Sequence, residues 1–419
     1  MAAERGCYSQ SIAETSASRA LKLQDLHRDP SPLAPHYRRF RVAERLLLTG
    51  HSHQAWPDCG LDGQLQAWQD AAELVDGKWQ RAFEQAERVK RGFAELLDDR
   101  DGEYALASNT HELVVRLLSA LPLGKRPRLV ATDGEFHTIR RQLQRLQEEG
   151  LEVVWVPALP AEVLPERLIA AVDDRTAAVM VSSVLFQSGQ RVPGLGQVLA
   201  AAARLGAELL VDSYHSLNVV PLSLPREGLE EAFVVGGGYK YCQLGEGCCF
   251  LRLPPGRRLR PVITGWFSEF SALALPAGDE RVSYGQGGEA FAGATYDPTS
   301  HYRAARVFDF FRQQGLTQEL LRTLNQHQVG LLATRFDRLD LPPRLLDYDR
   351  SLPLEQRGGF LALLSPRAAE ICAALGQAGV ACDSRDQVLR LGPAPYLSDR
   401  QLEEAMAILG RVARELPLR

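Results

Sequence analysis

From residue 128 the chain alternates short apolar runs with longer segments whose apolar residues recur every three or four positions. The short runs predict strands at 128–132, 151–156, 177–182 and 208–211. The periodic segments predict helices at 138–149, 161–172 and 198–205. Strand and helix in regular succession mean βαβ units, hence a mainly parallel sheet covered by helices on both faces. Two more apolar strands follow, at 232–235 and 248–251. Upstream, a long helical pattern covers 61–97, and residues 1–44 are polar, proline-bearing and weakly periodic, as expected of an arm. Beyond Asp297-Pro298 the texture changes. A helical stretch over 302–339 leads to a strand at 360–364, a helix at 367–377, a strand at 387–391 and a last helix at 399–416. The expected organisation is an α/β fold with an arm over 1–44, a large domain over 45–300 and a small α+β domain over 301–419. No internal repeat or low-complexity tract interrupts it.

Composition narrows the functional classes. At 419 residues and 45% hydrophobic, the chain can bury a large core. Its 48 basic residues are scattered among 52 acidic ones, which gives no electrostatic reason to expect a nucleic acid or a membrane surface as partner. No stretch is apolar for long enough to span a bilayer, and Met1-Ala2-Ala3-Glu4-Arg5 lacks the apolar core of a secretory signal, so a cytoplasmic protein is expected. The seven cysteines show no paired metal-ligand spacing and fall in apolar segments. They read as reduced and structural, Cys242 among them, and no metal is expected.

The chemistry concentrates just past the ends of two predicted strands. Asp212-Ser213-Tyr214-His215 follows the strand at 208–211, and Gly236-Gly237-Gly238-Tyr239-Lys240-Tyr241 follows the one at 232–235. Open α/β sheets bind ligands at the carboxyl ends of their strands. A carboxylate there can pair with a protonated pyridine nitrogen, and a lysine can form a Schiff base with an aldehyde, which are the two anchors of pyridoxal 5'-phosphate chemistry. Alone, Asp212 would read as a turn cap and Lys240 as a solvated lysine; together they point to the cofactor. Ser108-Asn109-Thr110-His111-Glu112 precedes an apolar-periodic run, so it predicts a helix N-terminus with free N–H groups suited to a phosphate, or else a simple N-cap. Arg390, in Leu389-Arg390-Leu391-Gly392-Pro393, could fix a carboxylate bidentately or could serve a surface ion pair. His51 and His53 stand close together but have no further ligand cluster in the sequence, and His51 and Ser52 read as substrate-pocket residues.

Gly238-Tyr239-Lys240-Tyr241 with Gly245-Glu246-Gly247 and the strand after it resembles kynureninase, within the class V aminotransferase-like, fold type I group of pyridoxal-phosphate enzymes. Tyr239 favours the narrower match, since relatives of other activities usually carry His before the lysine. The resemblance implies Thr110 and His111 at the cofactor phosphate, and Phe136 stacked on the pyridine ring with Thr138 nearby. It further implies His215 beside Asp212, and Tyr239 as phosphate contact and proton donor. Trp266 and Thr295 would reach the cofactor of a neighbouring subunit, hence a homodimer with shared sites. Arg390 would hold the α-carboxylate of a small amino-acid substrate, with catalysis by Lys240, Tyr239 and Asp212. The implied activity is hydrolytic Cβ–Cγ cleavage of an L-kynurenine-like γ-keto amino acid to L-alanine and an anthranilate-type acid, a step of tryptophan catabolism. Transamination, racemisation or β-lyase and C–S lyase chemistry on another amino acid, or a non-catalytic regulatory protein on the same scaffold, are the competing readings. Departures from the kynureninase pattern fall at His51, His53, Ile139 and around Ala72, and they bear on the aryl substrate.

Overall fold

The computed structural model describes residues 21–272 and 281–416; residues 1–20 of the expected arm lie outside them. At its centre is a seven-stranded sheet made of β1 (Glu103–Ala107), β2 (Arg128–Thr132), β3 (Glu152–Val156), β4 (Thr176–Ser182), β5 (Glu208–Asp212), β6 (Phe233–Gly237) and β7 (Cys249–Leu253). The spatial order is β1-β7-β6-β5-β4-β2-β3. The run β3, β2, β4, β5, β6 is parallel, whereas β7 lies antiparallel between β6 and β1. Every residue of β4, β6 and β7 is buried, as continuous apolar runs in a doubly covered sheet should be.

Helices α1 (Cys59–Leu74), α2 (Lys78–Leu97), α3 (Thr110–Ala120), α4 (His137–Glu148), α5 (Leu164–Ala171) and α6 (Leu195–Arg204) precede or connect the strands. α4 buries Ile139 and Leu143, four residues apart on one face, and exposes its charges on the other. α1 and α2 correct the single helix expected over 61–97. Val75, between them, adopts φ 51, a left-handed conformation that a β-branched residue rarely takes, and the chain turns there. The apolar period continues across the turn, so periodicity alone does not reveal it.

The second correction is similar. The helical stretch expected over 302–339 is two helices, α7 (Thr299–Gln313) and α8 (Gln318–Asp337). Gly315 at φ 66 ends the first, and the Thr317 hydroxyl accepts from Leu320 N to begin the second. A three-stranded antiparallel sheet follows, with β8 (Leu361–Leu364) and β9 (Asp383–Arg385) flanking β10 (Val388–Leu391), packed with α9 (Ala368–Gln377) and α10 (Asp399–Glu415). Leu46–Leu47 pairs in parallel with Val380–Ala381, and Thr49 bridges Gly392, so the chain just after residue 45 is joined to this C-terminal unit. Residues before it are packed too. Leu26, Leu33 and Tyr37 are fully buried, and the Tyr37 hydroxyl donates to Gln243 Oε1 at 2.5 Å. Among the described residues no helix is long and apolar enough to cross a membrane.

Candidate active site

β5 ends at Asp212, and its neighbour β6 ends at Gly237, three residues before Lys240. The three glycines let the backbone turn through a crowded space. A Cβ on Gly237 would meet Cys249 Sγ at 2.4 Å and the Tyr214 hydroxyl at 2.5 Å, and one on Gly238 would meet Leu244 at 2.5 Å. The tight turn delivers Lys240 into the interior. Its Nζ lies 2.6 Å from His215 Nε2 and 4.7 Å from the centre of the Tyr214 ring. Burial lowers the Lys240 pKa from 10.5 to about 7, with Asp212 opposing the shift and Arg390 adding to it. His215 is driven well below its ordinary value, first by burial and then by Lys240, so its imidazole is neutral. Its Nδ1 is buried without a hydrogen-bond partner. Asp212 accepts from Tyr214 N at 2.8 Å; burial raises its pKa, and Lys240 pulls it back.

These groups open onto a cavity of ≈ 330 Å³. Thr110, His111, Phe136, Thr138, Asp212, His215, Tyr239 and Lys240 all line it. Thr110 and His111 open α3, where Asn109 Oδ1 accepts from Glu112 N, leaving the N–H groups of the first turn directed outward from the helix end. Burial pushes the Tyr239 phenol up to about 12, so it stays protonated, and its ring stacks on His53 with centroids 4.7 Å apart.

Trp266, Thr295, Ser52, Arg390 and His51 do not line this cavity. Trp266 is 49% exposed and stacks on Phe267. Thr295 lines a larger neighbouring cavity of ≈ 850 Å³, which meets the first along Ser108, Glu246 and Gly247 and has Phe83, Phe267, Phe270 and Tyr296 in its wall. Ser52 contacts His53 Nδ1 through its hydroxyl at 3.1 Å. Arg390 and His51 lie behind the lining, both on Asp383. Arg390 donates from Nε to Asp383 Oδ1 at 2.9 Å, from Nη2 to Oδ2 at 2.5 Å and from Nη1 to the Phe186 carbonyl at 2.6 Å. His51 Nε2 meets the same Oδ1 at 2.6 Å. Burial alone would raise the Asp383 pKa, but His51 and Arg390 hold it well below the carboxylate range; burial takes His51 down to about 4.

Sequence reasoning missed Tyr214, Ser182, Phe186 and Cys249 in the wall, and Glu135 and Asp383 behind it. Tyr214 had a signal, since it stands between Asp212 and His215. Glu135 had one too, since it directly precedes Phe136. Its carboxylate accepts from the Ser182 and Thr132 hydroxyls, each at 2.6 Å, and from Ser182 N at 3.2 Å. Burial pushes its pKa up to about 7 against those hydrogen bonds. Among the described residues, one group of possible metal ligands comes together elsewhere: His27, His327 and Asp399. The two imidazoles lie flat on one another at 3.8 Å and 7°, so their in-plane lone pairs do not converge on one point.

The profile of the kynureninase C-terminal domain matches residues 350–409. The chain is 24% identical over 409 residues to a kynureninase of Pseudomonas fluorescens, covering 91% of this chain and 92% of that one. It is 26% identical over 396 residues to a kynureninase of Bacillus anthracis, covering 89% and 85%. It is also 22% identical over 347 residues to YcbU, an uncharacterized aminotransferase of Bacillus subtilis (strain 168), covering 82% and 88%. Among solved structures, the cystine C-S lyase C-DES superposes with a TM-score of 0.75 at 16% identity, covering 88% of this chain and 98% of that one. The cysteine desulfurase CsdA of Escherichia coli gives 0.73 at 13%, covering 95% and 100%. The chain is thus kynureninase-like in sequence along most of its length, and its fold is fold type I of the pyridoxal-phosphate enzymes.

Proposed function

We propose that the chain binds pyridoxal 5'-phosphate through Lys240 and hydrolyses the Cβ–Cγ bond of a γ-keto α-amino acid of the L-kynurenine type. The carrying observation is a buried lysine with its pKa near 7, 2.6 Å from a neutral histidine and facing a cavity of ≈ 330 Å³. The site fits the cofactor on independent grounds. Asp212 is the buried carboxylate for a ring nitrogen, Phe136 and Thr138 stand on the lining, and the unpartnered His215 Nδ1 is a polar atom awaiting a ligand. The first turn of α3 at Thr110 and His111 suits the phosphate.

When bound, the cofactor supplies an electron sink for the carbanion formed at Cα of the substrate. Burial brings the Lys240 pKa to about 7, so a neutral amine is accessible near neutral pH; it would hold the cofactor aldehyde, and its Nζ, when free, would take the Cα proton. His215 Nε2 fixes the direction of that amine. Asp212 would pair as a carboxylate with a protonated ring nitrogen; burial raises its pKa against that role, and the Tyr214 N–H and Lys240 oppose the rise. Tyr239 keeps its phenolic proton and can donate it to the three-carbon product before release as alanine. Arg390 receives the α-carboxylate. The aromatic wall of the adjoining cavity, with Phe83, Phe267 and Phe270, supports an aryl group on the substrate. The exposed Trp266 and the placement of Thr295 outside the Lys240 cavity support a homodimer in which each subunit lends them to its partner. The solved relatives named for C–S bond cleavage support the second reading, a lyase on another amino acid.

The test adds L-kynurenine and 3-hydroxykynurenine to the cofactor-loaded protein and follows alanine, the aryl acid and the visible spectrum. Equimolar alanine and aryl acid establish the hydrolase. A spectral change without cleavage moves the reading to the lyase or transaminase. Lys240→Ala should lose both turnover and the visible absorbance of bound cofactor, and a wild-type spectrum in that variant would refute the assignment.

A further inference from the structure

Arg390 already has a carboxylate. Asp383 sits directly across the β9–β10 pairing from it and engages the guanidinium side-on, through Nε at 2.9 Å and Nη2 at 2.5 Å. The third nitrogen is taken by the Phe186 carbonyl at 2.6 Å, and Phe186 itself lines the Lys240 cavity. The pair is shielded, since the Arg390 side chain is 4% exposed and that of Asp383 18%. His51, fully buried, adds a third contact that locks Asp383 in place. It brings no charge, because burial keeps the imidazole neutral. Asp383 and Arg390 therefore cancel where a carboxylate receptor needs one positive charge; the other cation on Asp383, Arg385 with Nη2 at 3.7 Å from Oδ2, is 45% exposed and screened by solvent. Only the edge between Nη1 and Nη2 remains for a ligand, and a ligand carboxylate bound there would face the Asp383 carboxylate across the same guanidinium.

We propose that Asp383 is a specificity-determining residue that competes with the substrate for Arg390, weakening selection for the α-carboxylate and widening the site to amines that bear none. This rests on the reading of Arg390 as the carboxylate receptor. A free buried arginine would select the carboxylate by charge-assisted hydrogen bonds worth about ten- to a hundredfold in affinity. The self-occupied one selects less.

The experiment titrates the cofactor-loaded protein with L-alanine and with ethylamine, the same amine without its carboxylate, and reads the visible spectrum of the bound cofactor. In the wild type, L-alanine should be preferred by less than about tenfold. Asp383→Asn keeps the shape and removes the charge, and it should raise that preference about tenfold or more by tightening L-alanine while leaving ethylamine unchanged. Adding Arg390→Gln to Asp383→Asn should erase the gain. A wild-type preference of about a hundredfold overturns the proposal. So does an Asp383→Asn protein that binds L-alanine no better than before while Arg390→Gln alone still loses it, for then Asp383 only orients the arginine. If Arg390→Gln leaves the preference untouched in both backgrounds, the receptor reading of Arg390 is what fails. Asp383→Ser supplies the same comparison if the asparagine variant does not fold, and the wild-type ratio needs no variant.

Discussion

Replacing Lys240 by methionine tests the electrostatics of the site without any substrate. In the folded chain the ammonium is out of water, and its pKa falls from 10.5 to about 7. Between those values the unfolded chain carries a proton that the folded chain has released, so stability of the cofactor-free protein rises with pH across this window. The slope is about 1.4 kcal/mol per pH unit, and the whole span is about 5 kcal/mol. Below about pH 7 both states hold the proton and the full penalty stands; above about pH 10.5 it has vanished. Lys240→Met has no such proton. Its loss also leaves His215 Nε2 and Asp212 without their neighbour, but above neutral pH that is a constant offset rather than a slope. Urea unfolding of cofactor-free wild type and Lys240→Met, at equal protein concentration and at about pH 7, 8 and 9, gives the difference in stability at each pH. That difference should move in favour of the wild type by about 1.4 kcal/mol per unit. Parallel curves would mean that Lys240 titrates as an ordinary solvated lysine, and the case for it as a neutral nucleophile at pH 7 would collapse.

Three other substitutions probe the frame and the site. Asp99→Ala strands the guanidinium of Arg252, which is 1% exposed and bound to Asp99 by two contacts of 2.9 Å, and should cost about 3–5 kcal/mol in chemical unfolding. Gly92→Ala drives a methyl to 2.5 Å from the Phe308 ring where α2 crosses α7, and should lower stability by about 1–3 kcal/mol, read from the same unfolding curves. Glu135 has its pKa raised from 4.5 to about 7, so the folded state holds a proton that the unfolded state has lost in that window, and stability falls as pH climbs through it. Glu135→Gln should flatten this fall, and a thermal melt series between about pH 4.5 and 7 that still matches the wild type would discount the buried carboxyl.

Much of the architecture was readable because its determinants are local. The run at 128–132 became β2 with the same ends, since an apolar stretch between polar ones leaves few alternatives to a buried strand. The places of Asp212 and Lys240 at the carboxyl ends of neighbouring strands were legible for the same reason. What escaped depends on neighbours distant in sequence. The antiparallel course of β7 is set by β6 and β1 on its two sides, not by its composition. Asp383 meets Arg390 through a strand register, and nothing in Cys382-Asp383-Ser384 announces the partner. The turn at Val75 was hidden by an apolar period that continues across it, whereas Gly315 and Thr317 between α7 and α8 were a stop and a start signal that a closer reading of punctuation would have caught.

The short pairing of Leu46–Leu47 with Val380–Ala381, prolonged by the Thr49–Gly392 bridge and by His51 on Asp383, divides labour between two halves of the molecule. His51, Ser52 and Arg390 are stitched into a single jaw, while Lys240, Asp212 and His215 belong to the opposite one, anchored in the large sheet. Under the proposed roles, what would grip the substrate is carried by one half and what would transform it by the other. The seam between them is broad: besides the Phe186 carbonyl on Arg390, Gly358 N donates to the Gly189 carbonyl at 2.6 Å, Arg191 N to the Gln356 carbonyl at 2.9 Å, and one continuous apolar core runs through both halves. The gripping half is thus held at a fixed distance from the transforming half, and His53 stacked on Tyr239 carries that spacing to the residue beside the lysine.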